Sequence, residues 1–418
     1  MKKFLLLVAA MLLCLALVAC ATEPKDPVGA ETGDGTETQA PEVDSTPKNK
    51  LPDGIKAEDY YKFVTFDLPT DFRQAAVDFM RKQASVTWTP EYTFTYGNKF
   101  DNWGFSLTYQ AGVKYTGIPY GSMNSSIEEF QKYLDEHRGR YATNSQNGYY
   151  DVMGTQCNTA INRSLQQFYP EADGESKQYM PSYSDLFVGK KVGDYVAPEG
   201  VKKGLDIIAA NDIQTIYESY ALAKTGDVIM GKNDETAVTH LRMVAAEAVV
   251  SRNGTGEINP HRSYLVCVEQ TDTFDSTRKD VNTTWWMDHK YTFDTLAKAG
   301  WVAVTFECYE TNTSFIPYIA LDQEITADML SKGNLNGTVS SDYPIAYIHM
   351  SLYDSTGKLV NRVVKFNTYE GRKETLRKHT FNLFTDDIKA GQQYTFVLDV
   401  GIARGNAELC RVDFTYNG

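Results

Sequence analysis

The chain has 418 residues, with 41 Lys and Arg against 54 Asp and Glu and a formal charge of −13 at neutral pH. An acidic balance of this size argues against nonspecific binding to nucleic acid or other polyanions. Beyond residue 20 only Cys157, Cys267, Cys308 and Cys410 remain, too widely spaced for a zinc pattern or a disulfide framework, although a single Cys308–Cys410 or Cys267–Cys308 bridge stays open.

Lys2 and Lys3 precede "FLLLVAAMLLCLALVAC", an apolar run whose length and flanks suit a secretory leader better than a membrane span. Its end, "LVAC", Leu17 to Cys20, resembles the lipobox of bacterial lipoproteins, in which small residues at the cleavage site precede a cysteine that takes a lipid. The resemblance implies removal of residues 1–19, lipidation of Cys20, and a membrane-anchored protein at the extracytoplasmic face of a bacterial envelope. The following "ATEPKDPVGAETGDGTETQAPEVDSTPKNK" is rich in Pro, Gly, Thr and acidic residues and nearly empty of large apolar ones, so residues 20–50 read as a lipidated cysteine and a disordered tether. The body of roughly 370 residues exceeds a usual single-core domain, which predicts two.

"PTDFRQAAVDFMRKQASVTWTP" predicts a helix capped by Thr70 or Asp71, with Phe72, Ala76, Phe79 and Met80 on one face. "FSLTYQAGVKYTGIPYG" reads as strand and turn, and in "SSIEEFQKYLDEHRGR" Ser125 or Ser126 precedes Glu128 and Glu129 in a capping-box arrangement. In "MGTQCNTAINRSLQQF" Thr155 can cap a helix that carries Ala160, Ile161, Leu165 and Phe168 at helical spacing until Pro170 stops it. Residues 171–210 form a long polar excursion, and "NDIQTIYESYALAKTG" predicts a further helix. The period then changes: "DVIMG", "THLRMVAAEAVVS" and "SYLVCVEQ" are β-rich, "TFDTLAKAG" is helix-like, and "WVAVTFECYE" is again a strand. From about Thr313 the pattern is β throughout, including "YPIAYIHMSLYD", "KLVNRVVKFN", "HTFNLF", "QYTFVLDVGIA" and "ELCRVDFTY", which predicts a small antiparallel sandwich.

Cys157 falls in the first turn of its helix, where unpaired N–H groups and the helix dipole favour a thiolate. It also shares a face with Ala160 and Ile161, so by pattern alone it reads equally as a small core hydrophobe. A cysteine hydrolase needs an imidazole to share the thiol proton and a polar group to orient the imidazole. His137 lies in an exposed-looking helix, His261 in a hairpin, His289 after Asp288 and His379 among charges, while His349 alternates with core residues. His240 opens the strand "THLRMVAA", where it can face a helix N-terminus packed across the sheet.

The order "YTGIPYG" (Tyr115 to Gly121), a helix beginning with cysteine, "GDVIM" (Gly226 to Met230) and "THLRMV" (Thr239 to Val244) resembles that of the NlpC-type cell-wall cysteine peptidases. The resemblance covers about Lys114 to Gln270. It implies an α+β chain: a papain-like domain over 51–312, with the nucleophile helix against a small antiparallel sheet, then the β-sandwich over 313–418. It implies Cys157 as nucleophile, His240 as general base, and Tyr120 or Tyr115 lining the site together with Gln156. The orienting residue comes from the next strand, as Glu269 or Gln270, depending on which faces inward. Gln156 and Asn158 flank the cysteine, where the family usually has Asp before it and Ser or Ala after it. The implied activity is cofactor-free and metal-free hydrolysis of amide bonds in peptidoglycan stem peptides. The alternative is a non-catalytic surface lipoprotein of the same fold that binds glycan, peptide or an envelope protein.

Overall fold

The computed structural model describes residues 50–97, 105–121, 123, 125–143, 151–170, 190–198, 201, 203–232, 239–310, 315–366 and 371–418. Cys20, the leader, nearly all of the tether and residues 171–189 of the excursion lie outside the described residues. The architecture is α+β with mostly antiparallel sheets.

Three helices frame the cysteine. Helix α1 (Phe72–Ser85) begins where the Asp71 carboxylate accepts from Gln74 N at 2.9 Å, and buries Phe72, Ala76, Phe79 and Met80 as the helical period requires. Helix α2 (Ile127–Glu136) starts in a reciprocal capping box: Ser126 Oγ accepts from Glu129 N at 3.1 Å and Glu129 Oε2 from Ser126 N at 2.8 Å. Helix α3 (Cys157–Leu165) packs on α1, and the buried Gln83 of α1 donates to Ala160 O at 3.0 Å and Ser164 Oγ at 3.1 Å.

These helices belong to the same apolar core as a six-stranded antiparallel sheet. Its strands are β1 (Lys190–Lys191), β2 (Val228–Lys232), β3 (Thr239–Val244), β4 (Tyr264–Gln270), β5 (Trp285–Thr292) and β6 (Trp301–Thr305), in the order β5-β4-β3-β2-β6-β1. The expected strand over 239–251 ends at Val244: residues 246–248 leave the ladder, Val249 returns to bridge Tyr264, and the side chains from Ala246 to Val250 are largely exposed. The run from Trp301 likewise stops at Thr305 and turns into a 3-10 segment, Glu307–Tyr309. β5 has no clear sequence period, because its ladder with β4 slips by one residue between Cys267 and Glu269 and Asp288 adopts a φ of 56°.

The C-terminal region has two four-stranded antiparallel sheets that share a second apolar core. Strands Ile345–Asp354, Leu359–Phe366, Gln393–Ile402 and Gly405–Thr415 form one sheet. The other joins Tyr318–Leu321, Thr338–Ser341 and Lys373–Thr375 to Lys62–Thr65. Residues 62–65, which the sequence placed with the first domain, thus form an edge strand of the second region, and Val64 and Phe66 pack on its core. "HTFNLF" is helical, not β.

Strand Ile345–Asp354 is buried along most of its length because both its faces are covered. Ile348, Met350 and Leu352 enter the second core, while His349 meets Glu136 of α2 at 3.1 Å. Glu136 also pairs with Arg362 at 2.6 Å, and Lys132 with Asp399 at 3.1 Å. Helix α2 therefore docks on this sheet through charged pairs, which explains why a histidine occupies an apparent core position.

Candidate active site

The segment leading into α3 is fixed before the helix begins. Thr155 and Tyr120 form a parallel bridge, with Thr155 N donating to Pro119 O at 3.1 Å and Gly121 N to Thr155 O at 3.0 Å. The approach is so close that a Cβ on Gly154 would lie 2.2 Å from Pro119 O, so only glycine fits. Thr155 is not the N-cap. Its hydroxyl donates to Gln270 Oε1 at 2.5 Å, and Gln156 takes the cap position, its N–H donating to Thr159 Oγ1 at 2.7 Å.

Cys157 then emerges at the first turn of α3, 6% exposed, with its side chain hydrogen-bonded to the His240 imidazole. His240 stands near the start of β3, in a row with Gly231 of β2 and Trp301 of β6. The Trp301 indole lies across Gly231, where a Cβ would approach it to 2.8 Å, and meets the imidazole edge-on at 5.9 Å. His240 Nε2 is hydrogen-bonded to Glu269 Oε2. Nδ1 is therefore the ring nitrogen left for the thiol.

Glu269 is 1% exposed and fully engaged. Arg242 Nε donates to its two oxygens at 3.0 and 2.9 Å, and Tyr291 OH donates to Oε1. Burial alone would raise the Glu269 carboxyl, but hydrogen bonding and charge from His240, Arg242 and Tyr291 more than offset it and hold the group down at about 2. Burial would likewise lower His240, yet the hydrogen bonds and charges of Cys157 and Glu269 raise it to about 9. The imidazole is thus protonated at neutral pH.

Both Glu269 and Gln270 face inward, because both sides of β4 are covered here, and they divide the work. Glu269 holds the imidazole. Gln270 holds the turn before α3, donating to Ile118 O and Pro119 O at 3.0 Å each while accepting from Thr155. Gln270→Leu would leave the buried Thr155 hydroxyl without its acceptor and take one of two donors from each carbonyl, Ile118 O keeping Trp285 Nε1 and Pro119 O keeping Thr155 N, and is expected to lower stability by about 2 kcal/mol. Urea unfolding checks this; a loss under about 1 kcal/mol would contradict the clamp.

Tyr115, expected at the site, instead lies in the aromatic core, with ring centroids 4.8 Å from Tyr109 and 5.3 Å from Trp88 and its hydroxyl accepting from Gln110 N. Tyr120 lies beside the entry to α3, its ring edge-on to Phe105 at 5.6 Å and its carbonyl accepting from Tyr96 OH. Gln156 is half-buried next to Cys157. Arg242, Tyr291 and Trp301 were not singled out in the sequence; the only signal was Arg242, two residues past His240 on the same strand face.

Cys157, Cys267, Cys308 and Cys410 are all free thiols, so neither possible disulfide forms. Burial pushes Cys308 and Cys410 up to about 12 and Cys267 higher still. Among the described residues no group of three or more His, Cys, Asp and Glu could hold a metal ion, and no helix is long and apolar enough to cross a membrane.

No protein-family model matches the chain, and no curated protein sequence matches it. Among solved structures, a β-glucuronidase from Parabacteroides merdae, crystallised with glycerol in its active site, is similar over 23% of this chain at 18% identity and a TM-score of 0.13. The match spans 11% of that enzyme's chain, and at this score it carries no argument about fold or function.

Proposed function

We propose that the protein is a cysteine hydrolase whose catalytic unit is Cys157, His240 and Glu269, and that it acts on amide bonds of peptidoglycan stem peptides. The observation that carries the reading is the continuous hydrogen-bonded chain from a thiol at a helix N-terminus, through an imidazole, to a buried carboxylate. The wall as substrate rests on the NlpC-type order of motifs around that chain and on the lipobox at Cys20, which together suit an enzyme tethered at the envelope within reach of wall peptides. A papain-like arrangement is the finer fold reading that accompanies it, supported by α3 packing on an antiparallel sheet whose strands supply the base and its orienting group.

In this mechanism the Cys157 thiolate attacks the scissile carbonyl carbon. His240 gives its proton to the leaving nitrogen, the C–N bond breaks, and a thioester remains. The neutral imidazole then takes a proton from water, the resulting hydroxide displaces sulfur, and the acid product leaves with the thiolate and imidazolium restored. Glu269 stays ionised throughout and keeps Nδ1 directed at the sulfur.

Digestion of purified peptidoglycan by the full chain in detergent, with mass spectrometry of released fragments, tests the reading. Fragments bearing new amine and carboxyl ends are expected from wild type, with a loss of at least ~10³-fold in Cys157→Ala. The rate should also fall as pH rises through about 9, where His240 loses the proton that the leaving group needs. Equal release by both proteins would sink the proposal.

A further inference from the structure

Glu269 can direct His240 only if the carboxylate itself cannot turn, and its terminal torsion is intrinsically broad. Four hydrogen bonds fix it here. Arg242 Nε reaches both oxygens, Tyr291 OH reaches Oε1, and Oε2 meets His240 Nε2. The guanidinium is in turn held between two rings, 3.8 Å from the Trp301 centroid and 4.1 Å from that of Tyr291. Such a slot suits a planar, delocalised cation and not an ammonium. The same indole that covers Arg242 also abuts the His240 ring, and it can do so only because β2 places Gly231 beneath it.

Resting on the hydrolase reading above, we infer that Arg242 is a positioning residue: clamped between Tyr291 and Trp301, it fixes the plane of the Glu269 carboxylate so that His240 presents Nδ1 to Cys157. A guanidinium that served only to neutralise a buried carboxylate would need neither the two-ring slot nor contact with both oxygens. Tyr291 assists by fixing Oε1.

The test is the pH profile of Cys157 alkylation by iodoacetamide in the full chain, followed by peptide mass spectrometry, for wild type, His240→Ala, Arg242→Gln, Arg242→Lys and Tyr291→Phe. Circular dichroism and urea unfolding confirm that each variant is folded. In Arg242→Gln, labelling at pH 6.5 should slow roughly tenfold or more, the worth of one charge-assisted hydrogen bond. Its pH profile should also move toward that of His240→Ala. Arg242→Lys keeps the charge but not the planar fork, and should recover less than half of the lost rate. Tyr291→Phe should slow labelling by roughly two- to fivefold, and together with Arg242→Lys it carries the test if the Gln variant does not fold. A wild-type rate and profile in Arg242→Lys would overturn the positioning role, since charge alone would then suffice. If His240→Ala slows labelling while every Arg242 and Tyr291 variant behaves as wild type, the positioning role falls and the hydrolase reading stands. Unchanged labelling in His240→Ala overturns both.

Discussion

Iodoacetamide at pH 6.5 is expected to label Cys157 at least ~100-fold faster than Cys267, Cys308 or Cys410 in the folded protein, because only the thiolate is alkylated. Cys157 sits at a helix N-terminus, hydrogen-bonded to an imidazole that remains protonated up to about 9. The other three have the opposite surroundings. Cys308 and Cys410 are pushed up to about 12 by burial, and Cys267 is raised further by burial and the neighbouring Glu269 charge. His240→Ala should slow Cys157 labelling without unfolding the chain, because the helix remains but the imidazolium is gone. A core cysteine would be labelled no faster than the other three and would ignore His240. Peptide mapping after timed alkylation distinguishes the two outcomes.

Glu269→Gln should destabilise the fold by about 3–5 kcal/mol at mildly acidic pH, since breaking a buried ion cluster strands its remaining charges. Arg242 keeps its two rings but loses its anion, and a neutral amide replaces the carboxylate that pairs with the His240 imidazolium. The pH dependence has a definite sign on each side. Glu269 titrates at about 2 in the folded chain against an ordinary 4.5, so its contribution is complete above 4.5 and is lost as pH falls through about 2. His240 titrates at about 9 against an ordinary 6.5, so its contribution is complete below 6.5 and is lost as pH rises through about 9. Wild type and Glu269→Gln should therefore differ most between pH 4.5 and 6.5, with the gap narrowing on either side. Urea midpoints at pH 2.5, 5.5 and 9.5 measure this; a pH-independent difference would mean that the cluster contributes packing and not charge.

Much of the site could be read in the sequence where the signal was local. A capped amphipathic helix with cysteine in its first turn and a histidine opening a strand are patterns of neighbouring residues, and the structure brings Cys157 and His240 together. The choice between Glu269 and Gln270 was not legible. Alternation along a strand decides it only if one face is open, and here both are closed, so each residue takes a separate buried task. Arg242, Tyr291 and Trp301 come from three strands, and no period links an arginine to the two rings that hold it. Tyr115 misled because a tyrosine in a turn motif carries no mark of whether its ring faces a cleft or, as here, Trp88 and Tyr109. Residues 62–65 fall within the 51–312 domain by position in the chain, whereas the pairing of Lys62–Thr65 with Tyr318–Leu321 is a contact across more than half of the sequence.

The catalytic reading requires that Glu269 hold His240 against Cys157, and the titration of His240 reports on that contact most directly. With histidine labelled at Cε1 and His240→Ala used to assign its resonance, a midpoint near 9 is expected in the folded protein. Cys157→Ala removes one of the two groups that raise it, and should bring the midpoint down while leaving the chain folded. A midpoint at or below 6.5, or one that does not respond to Cys157→Ala, would contradict the contact and with it the catalytic reading of this site.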